Sequence, residues 1–127
     1  MVKVLLIGTG GFLGALARYW LGGVVHRAAD TLFPLGTMAV NLIGCLLMGA
    51  LMTLVLERSL VGPSGRLFLA IGFLGSFTTF STFGFETVEL LSDGQWLHAG
   101  LNVVAQVVLG LTAIALGRWA VRLLMGS

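Results

Sequence analysis

The sequence predicts an all-α integral membrane protein with four transmembrane helices. Of its 127 residues 57% are hydrophobic and only 9% are charged. A soluble domain carries roughly 25% charged residues, so this chain lacks the polar residues needed to cover a water-facing surface. The apolar runs are long and unbroken, which excludes an outer-membrane barrel built from alternating strands. The 19 glycines are typical of helices that pack closely in lipid.

Four runs supply the roughly 20 apolar residues that a spanning helix needs. The predicted spans cover about residues 4–25, 35–56, 67–91 and 98–120, so that residues 1–127 form a single membrane domain. The connections are short and contain both prolines and most of the charges. All three tryptophans lie near span ends, where interfacial aromatic residues are enriched.

The charges are few and scattered. The formal net charge of +2 arises from seven basic and five acidic residues, a distribution that predicts no nucleic-acid partner. Four spans place both termini on one side of the membrane, and most basic residues lie on that side, which favours cytoplasmic termini. The bias depends on only a few residues, namely Lys3, Arg58, Arg66, Arg118 and Arg122 against Arg27, joined by Arg18 if that residue is exposed.

No enzyme is expected from this sequence. His26 and His98 lie in different connections, far apart in sequence, and no nucleophile–base pair, zinc-protease motif or phosphate-binding loop is present. Cys45 is the only cysteine, so no intrachain disulfide can form. The candidate functional residues are therefore the polar groups inside the spans, which are costly there and usually face protein or water.

In the first span, Gly10, Gly14 and Arg18 recur every four residues and share one helix face. One interpretation is that the glycines pack against a neighbouring helix while Arg18 extends to the lipid headgroups. The other places Arg18 in a water-filled vestibule, where its permanently charged guanidinium attracts an anion.

The second and fourth spans each contain two polar residues spaced four apart. Thr37 and Asn41 share a face of the second span, either as interhelical hydrogen-bonding groups or, for the two N–H donors of Asn41, as a binding site for a permeating anion. Asn102 and Gln106 would extend the same polar stripe along the fourth span.

The third span contains the most unusual stretch, from Gly72 to Glu86, which is rich in Phe, Ser and Thr. An open strand cannot lie in lipid, so the stretch predicts a helix that is interrupted near Gly75 to Thr79. Carbonyls freed at such an interruption can coordinate a cation.

Phe80 and Phe83 lie on one face just after this point, and each ring edge carries partial positive charge. Ring edges and hydroxyls can bind a small anion weakly enough for it to leave again. Glu86 follows one turn later and is expected either to gate a pathway or to form a structural pair.

Three motifs carry a likeness to a known family. The stretches 10–19, 36–44 and 72–83, followed by Glu86, resemble the Fluc/CrcB family of small bacterial fluoride channels, and the likeness covers nearly the whole chain. Asn102, Gln106 and Gly110 depart from it, because the family often has serine or tyrosine in the fourth helix.

The resemblance implies an antiparallel, dual-topology homodimer in the bacterial inner membrane, surrounded by lipid and containing two pores. It implies passive export of fluoride, which relieves fluoride toxicity. The resemblance implies a fluoride pathway formed by Arg18, Asn41, Phe80, Ser81, Thr82 and Phe83. The polar residues of the spans add Thr37, Glu86, Asn102 and Gln106 as further candidates for this pathway. The backbone carbonyls of Gly75 and Thr78 match the site of a structural sodium ion on the dimer axis.

Two other functions fit a small four-helix membrane protein. A proton-coupled multidrug or guanidinium exporter uses an acidic residue in its first span, whereas this span contains Arg18 and no carboxylate. A non-transporting assembly subunit would explain the glycines and aromatic residues as packing groups, but it would not explain a polar, interrupted third span.

Overall fold

The computed structural model describes residues 1–29 and 31–126, and all regular structure in this part of the chain is helical. The elements in order are α1 (Val2–Ala29), α2 (Leu35–Leu56), α3 (Pro63–Arg66), a π-helix (Leu67–Leu74), α4 (Gly75–Phe77), α5 (Phe80–Ser92) and α6 (Trp96–Met125). Four stretches of the described chain are long and apolar enough to cross a membrane: α1, α2, the third span Pro63–Ser92, and α6.

The helices are longer than most of the apolar runs that predict them. The bounds of α2 coincide with the predicted range of 35–56, whereas α1 continues to Ala29, beyond the expected end near residue 25. The third span begins at Pro63 and α6 extends to Met125. A helix satisfies its own backbone in lipid and in water alike, so an apolar run marks the lipid-immersed part rather than the helix end.

The third span changes its backbone geometry twice. Eight residues, Leu67–Leu74, form a π-helix, which is rare at this length and occurs mostly at functional sites. Thr78 (φ −86°, ψ 160°) and Thr79 (φ −151°, ψ 116°) then have extended backbones between α4 and α5. We call these two residues the extended step. Thr79 caps α5, because its side-chain oxygen accepts from the backbone N–H of Thr82 at 3.2 Å.

Glycines let α1 approach the third span at backbone distance. A Cβ atom added to Gly10 would lie 3.1 Å from the Phe73 nitrogen and 3.2 Å from the Gly72 Cα, and one added to Gly14 would overlap the Phe73 carbonyl. In lipid, helices associate mainly through such close packing, since burial of apolar surface gains little. Arg18, one turn further along this face, is thereby brought beside the extended step.

Glycines also let α2 and α6 approach each other at backbone distance. Gly49 faces the backbone of Ile114, and Gly117 faces Leu46 and Ala50.

At the end of this helix pair the carboxylate of Glu57 accepts from Arg122 at 2.6 Å and from Arg118 at 3.3 Å. The hydrogen bond from Arg122 is the main cause that lowers the pKa of Glu57 to about 2, so this ion cluster is intact at neutral pH.

The buried core is small and lies where α2 meets the third span. It consists of Val40, Leu51, Ala70, Leu74 and Phe77. Most other large apolar side chains are exposed on the single chain, including Trp20, Phe80 and Leu101. An exposed apolar surface of this extent requires lipid or a protein partner around it.

We predict that Gly117→Ala destabilises the fold whereas Gly100→Ala on the same helix does not. A Cβ at Gly117 would lie 2.9 Å from the Ala50 nitrogen and closer still to the Leu46 carbonyl, while none of the described atoms lies within 4 Å of a Cβ at Gly100. Overpacking costs about 1–3 kcal/mol. Thermal unfolding of both variants in detergent measures the difference, and equal stability of the two would contradict backbone contact between α2 and α6.

Candidate functional site

Asn41 on α2 bonds to both peptide groups of Thr79 in the extended step. Its Nδ2 donates to the Thr79 carbonyl at 3.1 Å, and its Oδ1 accepts from the Thr79 N–H at 2.8 Å. A peptide N–H can only donate and a carbonyl can only accept, so this pair determines which way the Asn41 amide faces. The oxygen of Asn41 takes the place of the Gly75 carbonyl, the helical acceptor that the Thr79 N–H lacks.

A chain of hydrogen bonds continues from Asn41 across α6 to α5. Asn41 Nδ2 also donates to Gln106 Oε1 at 2.7 Å, and Gln106 Nε2 donates to Asn102 Oδ1 at 3.2 Å. Asn102 Nδ2 donates to Thr87 Oγ1 at 2.9 Å, and this hydroxyl donates to the Phe83 carbonyl at 2.7 Å. We call Asn41, Gln106, Asn102 and Thr87 the amide chain. Asn102 is completely buried, so its amide is satisfied by protein alone.

A cleft of about 340 Å³, the arginine cleft, lies on one side of the extended step. Its polar lining includes Arg18, Thr37, Thr79, Thr82 and Glu86. Arg18 does not extend towards the end of α1. Its guanidinium lies 3.5 Å from the Thr78 carbonyl. Thr37 donates to Glu86 Oε1 at 2.7 Å, while Glu86 Oε2 is buried without a hydrogen-bond partner in the described residues.

A second cleft of about 300 Å³, the phenylalanine cleft, lies on the other side. It is lined by Asn41, Thr79, Phe80, Phe83 and Gln106, together with apolar residues, Cys45 and Thr78, and none of its lining residues is charged. The rings of Phe80 and Phe83 are tilted by 58° with their centroids 5.5 Å apart. Phe80 is 82% exposed, so a single chain leaves this cleft open on one side.

Hydroxyl groups surround the extended step between the two clefts. Thr79 Oγ1 donates to Thr82 Oγ1 at 3.0 Å and lies 3.3 Å from the hydroxyl of Ser81. Thr79 itself lines both clefts. Apart from the Glu86 carboxyl, the site combines a guanidinium, several O–H and N–H donors and two ring edges, which are groups that interact favourably with anions.

The structure places the sequence-predicted residues in two connected groups. Arg18, Thr37, Thr82 and Glu86 share the arginine cleft, and Asn41, Phe80, Phe83 and Gln106 share the phenylalanine cleft. Ser81 lies between them, and Asn102 lines neither cleft but joins the amide chain. Thr37 and Asn41 make interhelical hydrogen bonds, one of the two interpretations left open for them; their role in a pathway stays a prediction.

Thr79 and Thr87 were not among the predicted site residues. Thr79 matters through its backbone, which no side-chain pattern reveals. Thr87 lies four residues after Phe83, and its hydroxyl returns to the Phe83 carbonyl as Thr often does in helices. The four-residue spacing of Phe83 and Thr87, which places both on one helix face, is the signal in the sequence that could have identified Thr87.

The carbonyls freed at the extended step are the candidate ligands for a cation. Among residues 1–29 and 31–126 no three His, Cys, Asp or Glu side chains form a metal-binding group. In an unbroken helix the Gly75 carbonyl would accept from the Thr79 N–H, which donates to Asn41 instead. The Gly75 carbonyl thus fits the oxygen ligand that a hard cation prefers, whereas the Thr78 carbonyl already has the Arg18 guanidinium beside it.

Comparisons with known proteins give one consistent result. Residues 5–118 match the family described as CrcB-like protein, Camphor Resistance (CrcB). A protein from Nitratidesulfovibrio vulgaris, strain Miyazaki F, named fluoride-specific ion channel FluC, is 48% identical over 92% of this chain and 94% of its own length. Proteins of the same name from Geobacter sulfurreducens and Geotalea daltonii are each 48% identical, over 94% and 96% of this chain and 94% and 98% of their own lengths.

These relatives are ion channels rather than enzymes, and four helices of this chain are suited to crossing a membrane. The protein is a multi-pass membrane protein. On the family match and on the identity of its relatives, the chain belongs to the CrcB-like family.

Proposed function

We propose that this protein is a fluoride-selective channel that exports fluoride passively across the bacterial inner membrane and so relieves fluoride toxicity. The observation that carries the proposal is the pair of clefts that meet at Thr79, both lined by groups that donate to anions. The relatives named fluoride-specific ion channel give the anion. Proton-coupled cation export has no matching feature, since α1 contains no acidic residue.

Arg18 gathers the anion in the arginine cleft. Its guanidinium is charged at every physiological pH and remains half-buried, so its field is less screened by solvent than that of a surface arginine. Glu86 lines the same cleft, and its carboxyl oxygens are acceptors that oppose the attraction of Arg18 for an anion. The anion is therefore attracted without being held too tightly to move on.

Weaker groups receive the anion in the phenylalanine cleft. The positive edges of Phe80 and Phe83 and the amide N–H groups of Asn41 offer partial charges only. A fixed positive charge here would bind the ion and block its passage, and the lining contains none. The hydroxyls of Ser81 and Thr82 supply further donors between the two clefts.

An antiparallel homodimer with two pores is the assembly we propose. Phe80 is 82% exposed, and Ser81 and Thr82 are exposed as well, so one chain provides only one wall of the pathway. A second copy in the opposite orientation would close each pathway and would bury the apolar surface that lipid does not cover. The two-fold axis of such a dimer repeats the pathway, which gives two pores.

A structural sodium ion at the dimer axis completes the proposal. The carbonyls of Gly75 and Thr78 would hold it, the former without its helical donor and the latter shared with Arg18. Bound sodium would neutralise the carbonyl dipoles where the two third spans meet. The rest of the site, from Arg18 to the amide chain, consists of this chain's own side chains and backbone.

The test of function is ion efflux from liposomes that contain the purified protein. Fluoride and chloride electrodes record release while valinomycin clamps the voltage with potassium. We expect fast release of fluoride without release of chloride. Absence of fluoride release from protein shown to be folded would overturn the proposal.

In the same assay Phe80→Ile and Phe83→Ile should each reduce fluoride efflux at least about tenfold, because an aliphatic side chain has no positive edge, a difference of about 1.4 kcal/mol in the barrier. The matched control is Phe12→Ile, since Phe12 is exposed and lines neither cleft. Chemical cross-linking verifies that all variants keep the same oligomeric state. Undiminished efflux in both cleft variants would refute the ring-edge mechanism.

Removal of sodium should lower both stability and flux. In N-methylglucamine buffer, free of lithium and potassium, we expect a lower melting temperature that rises with added sodium, because a ligand that binds only the folded state stabilises it. Efflux, with a proton ionophore clamping the voltage, should fall in parallel. Full flux and an unchanged melting temperature without sodium would count against the ion.

A further inference from the structure

All hydrogen bonds of the amide chain point in one direction. The Thr79 peptide orients the Asn41 amide, so the group that faces Gln106 is a donor and Gln106 must present its oxygen. Gln106 therefore turns its nitrogen to Asn102, and Asn102 turns its own nitrogen to Thr87. The last hydroxyl donates to the Phe83 carbonyl, an acceptor at which the chain ends. One backbone contact thus determines the polarity of four side chains.

This arrangement leaves Asn41 without a free donor. Its two N–H groups are used by the Thr79 carbonyl and by Gln106 Oε1. An anion can reach Asn41 only by replacing one of these acceptors. The Thr79 carbonyl is part of the backbone, whereas Gln106 Oε1 belongs to a side chain that lines the phenylalanine cleft. The oxygen of Gln106 therefore occupies the position that an anion must take.

We propose that the amide chain inverts when fluoride enters the phenylalanine cleft, and that Gln106 is thereby a fluoride-binding residue. The terminal amide of Gln106 turns over, so that Nε2 and the Asn41 Nδ2 both donate to the anion between them. Asn102 turns over as well and donates to Gln106 Oε1, and the Thr87 hydroxyl moves from the Phe83 carbonyl to Asn102 Oδ1. This inference rests on the fluoride channel function proposed above.

Within the protein, the inversion replaces two neutral hydrogen bonds with two charge-assisted ones, which offsets part of the water that the anion loses. Within the chain, the bonds between Gln106 and Asn102 and between Asn102 and Thr87 are remade with donor and acceptor reversed. Two neutral bonds are lost, from Asn41 to Gln106 and from Thr87 to the Phe83 carbonyl. Two charge-assisted bonds to the anion are gained, and each is roughly twice as strong as a neutral one. On departure of the anion the Thr79 peptide restores the original direction.

The inversion gives the site a way to bind and release quickly. A smaller hydroxyl in place of Gln106 would leave the Asn41 donor open, whereas the glutamine oxygen keeps it satisfied between ions. In both states each of the four side chains keeps at least one hydrogen-bond partner, and the Phe83 carbonyl is also within reach of the helical N–H of Thr87. The inversion therefore leaves no side chain of the amide chain without a partner in a membrane interior, where that is costly.

The composition of the chain allows a direct test by NMR. It contains two asparagines and two glutamines, so selective ¹⁵N labelling gives only four side-chain amides: Asn41, Asn102, Gln95 and Gln106. Gln95 lies at the start of α6, 3.1 Å from the ring nitrogen of His98, and serves as an internal reference. Asn102 is fully buried and lines neither cleft, so its response reports the inversion and not contact with the anion.

Titration of the detergent-solubilised protein with sodium fluoride should shift Asn41, Gln106 and Asn102 at one common midpoint. Gln95 should stay unchanged, and sodium chloride at the same concentrations should move none of them. If Asn41 and Gln106 shift while Asn102 does not, fluoride binds without inversion and the inference is wrong. If no amide shifts although liposomes release fluoride, the inference fails while the channel function stands. If fluoride neither shifts an amide nor leaves liposomes, both fail.

The variant Gln106→Met shows whether the Asn102 amide responds to fluoride through Gln106 or by a local effect. Methionine has similar length but no amide, so Asn41 should still respond to fluoride while Asn102 becomes silent. The matched control Gln95→Met makes the same change outside the amide chain and should preserve all three responses. An Asn102 response that persists in Gln106→Met would overturn the proposed route. A folded spectrum of each variant without fluoride establishes that the comparison is valid.

Discussion

The polar interior of this protein depends on two hydrogen bonds between the Asn41 side chain and the peptide groups of Thr79. Two extended residues interrupt the helical hydrogen bonds in the middle of the third span. Backbone groups left unpaired in a membrane are costly, so another partner has to replace the lost helical bonds. An amide side chain both donates and accepts, so a single asparagine on α2 bonds to both backbone polar groups of Thr79. Its orientation then follows from the backbone, and the orientations of Gln106, Asn102 and Thr87 follow from it. The carbonyl of Gly75 is released for another ligand by the same contact.

Close helix packing makes this contact possible. Gly44 lies three residues after Asn41 on α2, and a Cβ there would lie 3.3 Å from the Phe77 ring and would overlap the Thr78 side chain. A larger residue would hold α2 away from the extended step and take Asn41 out of hydrogen-bonding range. Gly10 and Gly14 bring α1 to the same region and with it Arg18. The glycines thus connect the packing of the bundle to the charge and the donors of the two clefts.

Much of the fold can be predicted from hydropathy alone, because lipid accepts few structures. The apolar runs predict both ends of α2 at the correct residues. The rule that backbone groups do not stay unpaired in lipid predicts an interruption in the stretch that contains Thr78 and Thr79. Helix ends beyond the lipid and the π-helix were not predictable, since neither changes the apolar pattern. Four-residue spacing found Thr37, Asn41, Asn102 and Gln106. It could not show that they bond to Glu86, to Thr79 and to each other, because side-chain partners across helices depend on how the helices pack.

Hydrogen exchange at the Thr79 amide tests the central contact most directly. Thr79 lines both clefts, so water can reach its N–H group once Asn41 no longer accepts from it. We expect slow exchange in the unaltered protein, fast exchange in Asn41→Leu, and slow exchange in Asn41→Asp, whose carboxyl oxygen still accepts. Amides in the middle of α2 should exchange equally in all three proteins. Equal protection of Thr79 in Asn41→Leu and in the unaltered protein would contradict the account.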